Sequence, residues 1–247
     1  ASFRRSSAFS TEAGLKYFIS GSFISGLFLF GASLIYGCLG TLNFNHLSLL
    51  LSFSLNEELI VFKYFVLLGI LLITIVLLFK IASAPFHFWA PDVYEGAPTS
   101  ITAFFAIVPK VSAVALIYRF CLEPFANFYS EWSQIIIFLS IASMFVGAIA
   151  AISQTNIKRL LAYSSIGHIG YTLAGLATGT NEGIQSSIIY ISIYIIMNLA
   201  LFSCLLMLKR KNQYYEEIND LSGLSKNHPL LSLSLLIIMF SLAGIPP

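Results

Sequence analysis

The chain has 247 residues, 57% of them hydrophobic and only 10% charged, with a net charge of +2 and a mean hydropathy of +0.86. That balance excludes an ordinary soluble domain and places the chain in a bilayer. It offers no basic patch interleaved with aromatics for nucleic acid, and Cys38, Cys121 and Cys204 are too scattered for a disulfide framework or a CxxC metal or redox site.

A membrane helix needs about 20 apolar residues, and seven runs qualify as an all-α transmembrane bundle. The first, Leu15 to Leu39, follows a polar, basic start (ASFRRSSAFS) that lacks the apolar core of a secretory signal. Glu12 and Lys16, four apart, can pair on one helix face, as a surface ion pair or a functional one. The second run, Leu59 to Phe79, contains FVLLGILLITIVLLF, which does not alternate as a β-barrel strand would. From Phe62 to Trp89 the chain is apolar for about 28 residues apart from Lys63, Lys80 and His87, and a straight helix of that length, roughly 42 Å, exceeds what the membrane needs.

A break is therefore predicted at Pro85, which removes a backbone donor and clashes with the preceding turn, with Ser83 satisfying freed backbone groups. Lys80, five residues earlier, would then bring a charge to mid-membrane as broken helices of ion-coupled transporters do, or would snorkel to water from the helix end. Lys63, at the other end, reads as a snorkeller. The segment DVYEGAP, with Asp92 and Glu95, reads as a loop whose carboxylates are solvated.

The third run, Ile101 to Phe120, carries Lys110 near its middle. Such a lysine costs roughly 2.5 to 3.5 kcal/mol and by default marks an ion or proton pathway. Ile135 to Ile152 is the fourth run. The fifth, Leu160 to Ala177, follows Lys158 and contains Tyr163 and His168 among serines and tyrosines, a setting that suits a satisfied core histidine or a relay member. Ile184 to Leu208 is the sixth, and Leu230 to the end the seventh. The charges at Glu57, Glu58, Glu216 and Glu217 read as loop positions. If the runs alternate, Arg4, Arg5, Lys16, Lys158, Arg159, Lys209, Arg210, Lys211 and Lys226 share one side, which the positive-inside rule makes cytoplasmic or matrix.

Phe79-Lys80-Ile81-Ala82-Ser83-Ala84-Pro85-Phe86 aligns weakly with Phe240-Ser241-Leu242-Ala243-Gly244-Ile245-Pro246-Pro247. The echo suggests corresponding broken helices of two repeats, the second break falling near Pro246. A start on Ala1 and a last run stopping at Pro247 suggest a central piece of a longer fold.

The stretches FKIASAPFHFWAPDVYEGAPT, VPKVSA, NIKRLLAYSSIGHIGY and SLAGIPP, with STEAGLKYF upstream, resemble the subunit 2 family of proton-pumping NADH:ubiquinone oxidoreductase (respiratory complex I), whose bacterial counterpart is subunit N. The resemblance spans essentially the whole chain and corresponds to the family's sixth to twelfth helices. It implies one membrane domain over residues 1–247, part of an antiporter-like bundle of inverted repeats with discontinuous seventh and twelfth helices. Lys80 matches the broken-helix lysine that loads and releases a proton, and Lys110 the eighth-helix lysine linking two half-channels. His87 and Asp92 match polar positions past the break, Glu12 and Lys16 the charged pair opening the sixth helix, and Lys158, Tyr163 and His168 the tenth-helix motif.

The resemblance further implies transport through buried lysines, in the mitochondrial inner membrane with the N-terminus on the matrix side. This chain would carry no cofactor and no metal; NADH, FMN, iron–sulfur clusters and ubiquinone would be bound by other subunits. The expected partners are lipid and other complex I membrane subunits, including chains that supply the missing N- and C-terminal helices. A multisubunit cation/proton antiporter shares the fold and the lysines, and an inactive membrane scaffold is the remaining alternative.

Overall fold

The computed structural model describes residues 7–53, 60–210, 213–214 and 216–245. Helix α1 (Ala8–Leu39) starts where the Ser7 hydroxyl accepts the Ser10 N–H and ends at Gly40, whose φ of 68° supplies the left-handed cap. The segment after the first run forms a short α2 (Phe44–Phe53). The remaining runs become α3 (Ile60–Lys80), α5 (Thr99–Leu122), α6 (Tyr129–Ile152), α7 (Ile157–Ala177), α8 (Asn181–Met207) and α10 (Pro229–Leu242), with a short α4 (Trp89–Gly96) after the break. Strands β1 (Lys209–Arg210) and β2 (Gln213–Tyr214) make a small antiparallel ribbon before α9 (Leu224–Asn227).

Among the described residues, five helices are long and apolar enough to cross a membrane. The other two expected runs are α7, whose 21 residues are diluted by Lys158, Arg159, Tyr163, Ser164, Ser165 and His168, and α10, which has only 14. Helix α7 tolerates this polarity because it is internal, with Ile157, Leu161, Ile166, Ile169, Leu173 and Leu176 all buried. It packs on α6 backbone to backbone. A Cβ added to Gly147 of α6 would lie 2.5 Å from the Gly167 amide nitrogen and 2.9 Å from the Tyr163 carbonyl, so glycine is what permits the approach.

The chain breaks as expected, but earlier than Pro85. Helix α3 ends at Lys80, and Ala82 adopts φ 59°. The Ser83 N–H reaches the Leu78 carbonyl at 3.0 Å and the Ala82 N–H the Phe79 carbonyl at 3.0 Å, which is a Schellman cap. The Ser83 hydroxyl also donates to Leu78 O, and the Ala84 N–H donates to Ser143 Oγ at 2.8 Å, so few freed backbone groups go unanswered. The Ala84–Pro85 peptide is cis.

Helix α10 ends in the same motif. Ile245 N–H donates to Phe240 O, Gly244 N–H donates to Ser241 O, each at 3.0 Å, and Gly244 has φ 83°. Matching the caps pairs Ala82 with Gly244, one residue away from the sequence alignment. Pro246 and Pro247 lie outside the described residues.

The segment DVYEGAP, expected as a loop, is instead the body of α4. Pro91 sits in the first turn, where its missing N–H has no intrahelical partner to lose, and Asp92 lies at the positive end of the helix dipole. Gly96 lets this short helix dock on α1, since a Cβ there would come within 2.5 Å of the Phe9 carbonyl.

Candidate functional site

Three groups of polar residues lie along the bundle. The first is at the break. Lys80 ends α3 and, contrary to the expectation of a buried lysine, is exposed; as the last residue of its helix it opens onto a cavity of about 460 Å³ shared with Tyr17, Gly21, Ser25, Trp89 and Pro109. The Trp89 indole N–H donates to the Phe79 carbonyl at 3.0 Å, capping the same helix end. His87, in the turn, is half-buried, with no hydrogen-bond partner at Nδ1 among the described residues, and its ring lies 6.3 Å from that of Tyr163.

The second group is central. Lys110 is 1% exposed, midway along α5. Its ammonium donates to Ser165 Oγ at 2.6 Å and lies 5.5 Å from the Tyr94 ring centroid; among the described residues it makes no ion pair. The Ser165 hydroxyl in turn donates a hydrogen bond to Ala162 O at 2.7 Å. One turn along α7, His168 Nδ1 is 2.6 Å from the Tyr190 hydroxyl, and its ring stands 4.9 Å from that of Tyr194. The hydroxyls of Tyr94 and Tyr194 are buried here and make no close hydrogen bond among the described residues.

The third group gathers at the end of the bundle where α1 and α7 begin. Asp92 uses both oxygens: Oδ2 accepts from Lys16 at 2.5 Å and Oδ1 from Arg159 at 2.8 Å. Arg159 Nη1 also meets Glu95 at 2.8 Å, and Lys16 meets Glu12 at 2.6 Å. Asp92 and Glu95, expected to be solvated, are therefore ion-paired, and Glu216 is paired as well. Lys158, 2% exposed, donates to Glu216 at 3.1 Å and to the Ala97 and Glu95 carbonyls at 3.1 and 3.4 Å. A cation at a helix C-terminus meets the negative end of the dipole, so Lys158 caps α4.

The structure thus unites Lys110 with His168 through α7, and Glu12, Lys16 and Asp92 with Lys158, while Lys80 and the pair His87–Tyr163 stand at the break between them. The sequence reading missed Ser165, Tyr94, Tyr190, Tyr194, Trp89 and the structural use of Arg159. A signal existed for Arg159: two cations opening a helix oppose its dipole and call for carboxylates nearby.

A broken span, a fully buried mid-span lysine and a paired set of charges at one end define a multi-pass helical membrane protein of the antiporter-like class. A family model described as NADH:quinone oxidoreductase/Mrp antiporter matches residues 1–247. The chain is 62% identical over 247 residues to NADH-quinone oxidoreductase subunit N of Pelagibacter ubique, covering 100% of this chain and 51% of that protein, and 50% identical to subunit N of Parvibaculum lavamentivorans with 100% and 50% covered. Among solved structures it resembles a chain of respiratory complex I from Thermus thermophilus with bound aureothin, at 34% identity and TM-score 0.79 over 100% of this chain and 51% of that one. It also resembles a chain of the Mrp complex from Dietzia sp. DQ12-45-1b, at 27% identity and TM-score 0.85 over 98% and 43%. The chain belongs to the NADH:quinone oxidoreductase/Mrp antiporter membrane-subunit family. It spans about half the length of the curated relatives it matches.

Proposed function

We propose that this chain forms part of a proton-translocating membrane subunit of NADH:quinone oxidoreductase, moving protons through Lys110 and Lys80 while redox chemistry proceeds elsewhere. The observation that carries the reading is Lys110: an ammonium buried in mid-span, held by a neutral hydroxyl and an aromatic face rather than a carboxylate. A purely structural lysine at that depth would be expected to have an anionic partner. His168 and Tyr190 continue the path from Ser165, and Lys80 serves the cavity at the break. Other subunits of the complex would bind NADH, FMN, iron–sulfur clusters and ubiquinone, and further helices would complete the bundle. The membrane would be a mitochondrial inner membrane or, as the bacterial sources of the relatives favour, a bacterial cytoplasmic membrane, with the Arg159 end on the matrix or cytoplasmic side in keeping with the charge bias.

The test is proton pumping per NADH oxidised by the assembled complex in vesicles carrying Lys110→Arg. Arginine keeps the charge but does not deprotonate in proteins, so pumping should fall sharply while NADH oxidation continues; near-normal pumping retires Lys110 as a relay. The likeness to the Mrp chain supports a second reading, cation/proton exchange without NADH, which the same vesicles report as sodium-driven proton movement in the absence of NADH.

A further inference from the structure

We propose that Arg159 is a positioning residue: through Asp92 and Glu95 it fixes α4, and through Trp89 of α4 it holds the end of α3 that carries Lys80. This rests on the reading of Lys80 as a proton carrier.

The argument begins with α4, eight residues long and too short to persist without tertiary contacts. Helices α7 and α1 supply the charged ones. Arg159, in the first turn of α7, is itself fixed. The Asn156 side chain caps that turn by accepting the Lys158 and Arg159 N–H groups at 2.9 and 3.3 Å, and the Arg159 Nε donates to Gln154 Oε1 at 3.1 Å. The guanidinium then meets Asp92 and Glu95, which are three apart and share one face of α4. All three side chains are between 24% and 30% exposed, sheltered enough for the pairs to exceed ordinary surface bridges. Lys16 of α1 takes the other oxygen of Asp92, and Lys158 takes the carbonyls at the far end of α4.

Position is then passed to the break. Trp89 is the first residue of α4. Its ring centroid lies 5.3 Å from that of Tyr17 and 5.7 Å from that of Phe79, and its indole donates to the carbonyl of Phe79, the residue before Lys80. That carbonyl belongs to the Schellman cap, so a shift of α4 along its axis would load the cap directly. Read only as a topology-setting charge, Arg159 would need neither two carboxylates nor a glutamine to orient its plane.

The experiment uses the full-length subunit in its assembled complex and two readouts. The first is the labelling rate of Lys80→Cys by a thiol reagent; the second is protons pumped per NADH with lysine 80 retained. Arg159→Lys, which keeps charge but loses the planar fork, and Trp89→Phe, which keeps the ring but loses the N–H, should each change labelling several-fold and lower pumping toward the level of Lys80→Ala. The two together should be no worse than the stronger single change, because they act in series. Glu95→Gln, which removes the charge of one of the two carboxylates Arg159 holds, should shift labelling and pumping in the same direction as Arg159→Lys. Unchanged labelling in Arg159→Lys, additive losses in the double variant, or unchanged labelling in Glu95→Gln would each overturn the proposal. Altered labelling together with normal pumping by Lys80→Ala would leave the clamp standing and remove the proton role of Lys80.

Discussion

Replacing Lys110 by methionine or by alanine separates the lysine's charge from its volume. Lysine to alanine removes three buried methylenes and the amine; at about 0.8 kcal/mol per methylene the transfer loss is about 2.4 kcal/mol, and the cavity left in a rigid setting raises it to about 3 to 4 kcal/mol. Methionine refills most of that space. What it forfeits is the hydrogen bond to Ser165, about 1.5 to 3 kcal/mol for a charged donor, and against this stands relief from holding an amine out of water, which removal of buried charge commonly returns. Ser165 is not stranded, because it still donates to Ala162 O. Lys110→Met should therefore change stability by no more than about 1 kcal/mol, whereas Lys110→Ala should cost about 3; both should abolish pumping through this subunit. The assay is the thermal midpoint of the purified complex together with vesicle pumping. A methionine variant as unstable as the alanine one would mean that an anion had been left unpaired at Lys110, and the argument from a neutral setting would fail.

Gly147→Ala should push α6 off α7 and destabilise by about 1 to 3 kcal/mol, while Gly21→Ala, with nothing within 4 Å of the added carbon, should be neutral or stabilising; thermal midpoints of the two variants check this contrast. Ser143→Ala leaves the buried Ala84 N–H without its acceptor and should cost about 1 to 3 kcal/mol by the same measurement. Ala82→Gly relieves a left-handed alanine and should raise stability by up to about 1 kcal/mol, whereas Ala82→Val should lower it; a stabilising valine would show that the cap carries no strain.

Spans and depth were legible because apolar run length is a local property, and Lys110 could be placed in mid-span by the residues on either side of it. The break was legible too, but Pro85 drew attention five residues downstream of the helix end. The left-handed position is filled by Ala82, which carries no signal, whereas Gly244 announces the equivalent end of α10. DVYEGAP misled because proline and glycine punctuate loops and also bracket short helices. The charge network was out of reach for a different reason: Arg159 is 67 residues from Asp92 and Lys16 is 76 away, and pairing at such separations depends on how helices dock. The serine and tyrosines around Lys110 were hidden likewise, since they come from α4, α7 and α8.

The contact at Gly147 and Gly167 has a mechanical meaning. Where the backbones meet at Gly147 no side-chain layer is left to deform, and farther along α6 Ser140 Oγ donates to Gly170 O, so the two helices are held as one post. Ser165, His168, Lys158 and Arg159 are all mounted on that post, and α6 adds Ser143 beneath the break. Under the proposed function, motion that opens or closes a proton path would come from the elements facing the post, α5 with Lys110, α8 with Tyr190 and Tyr194, and the end of α3. The post is the stationary frame against which they are set.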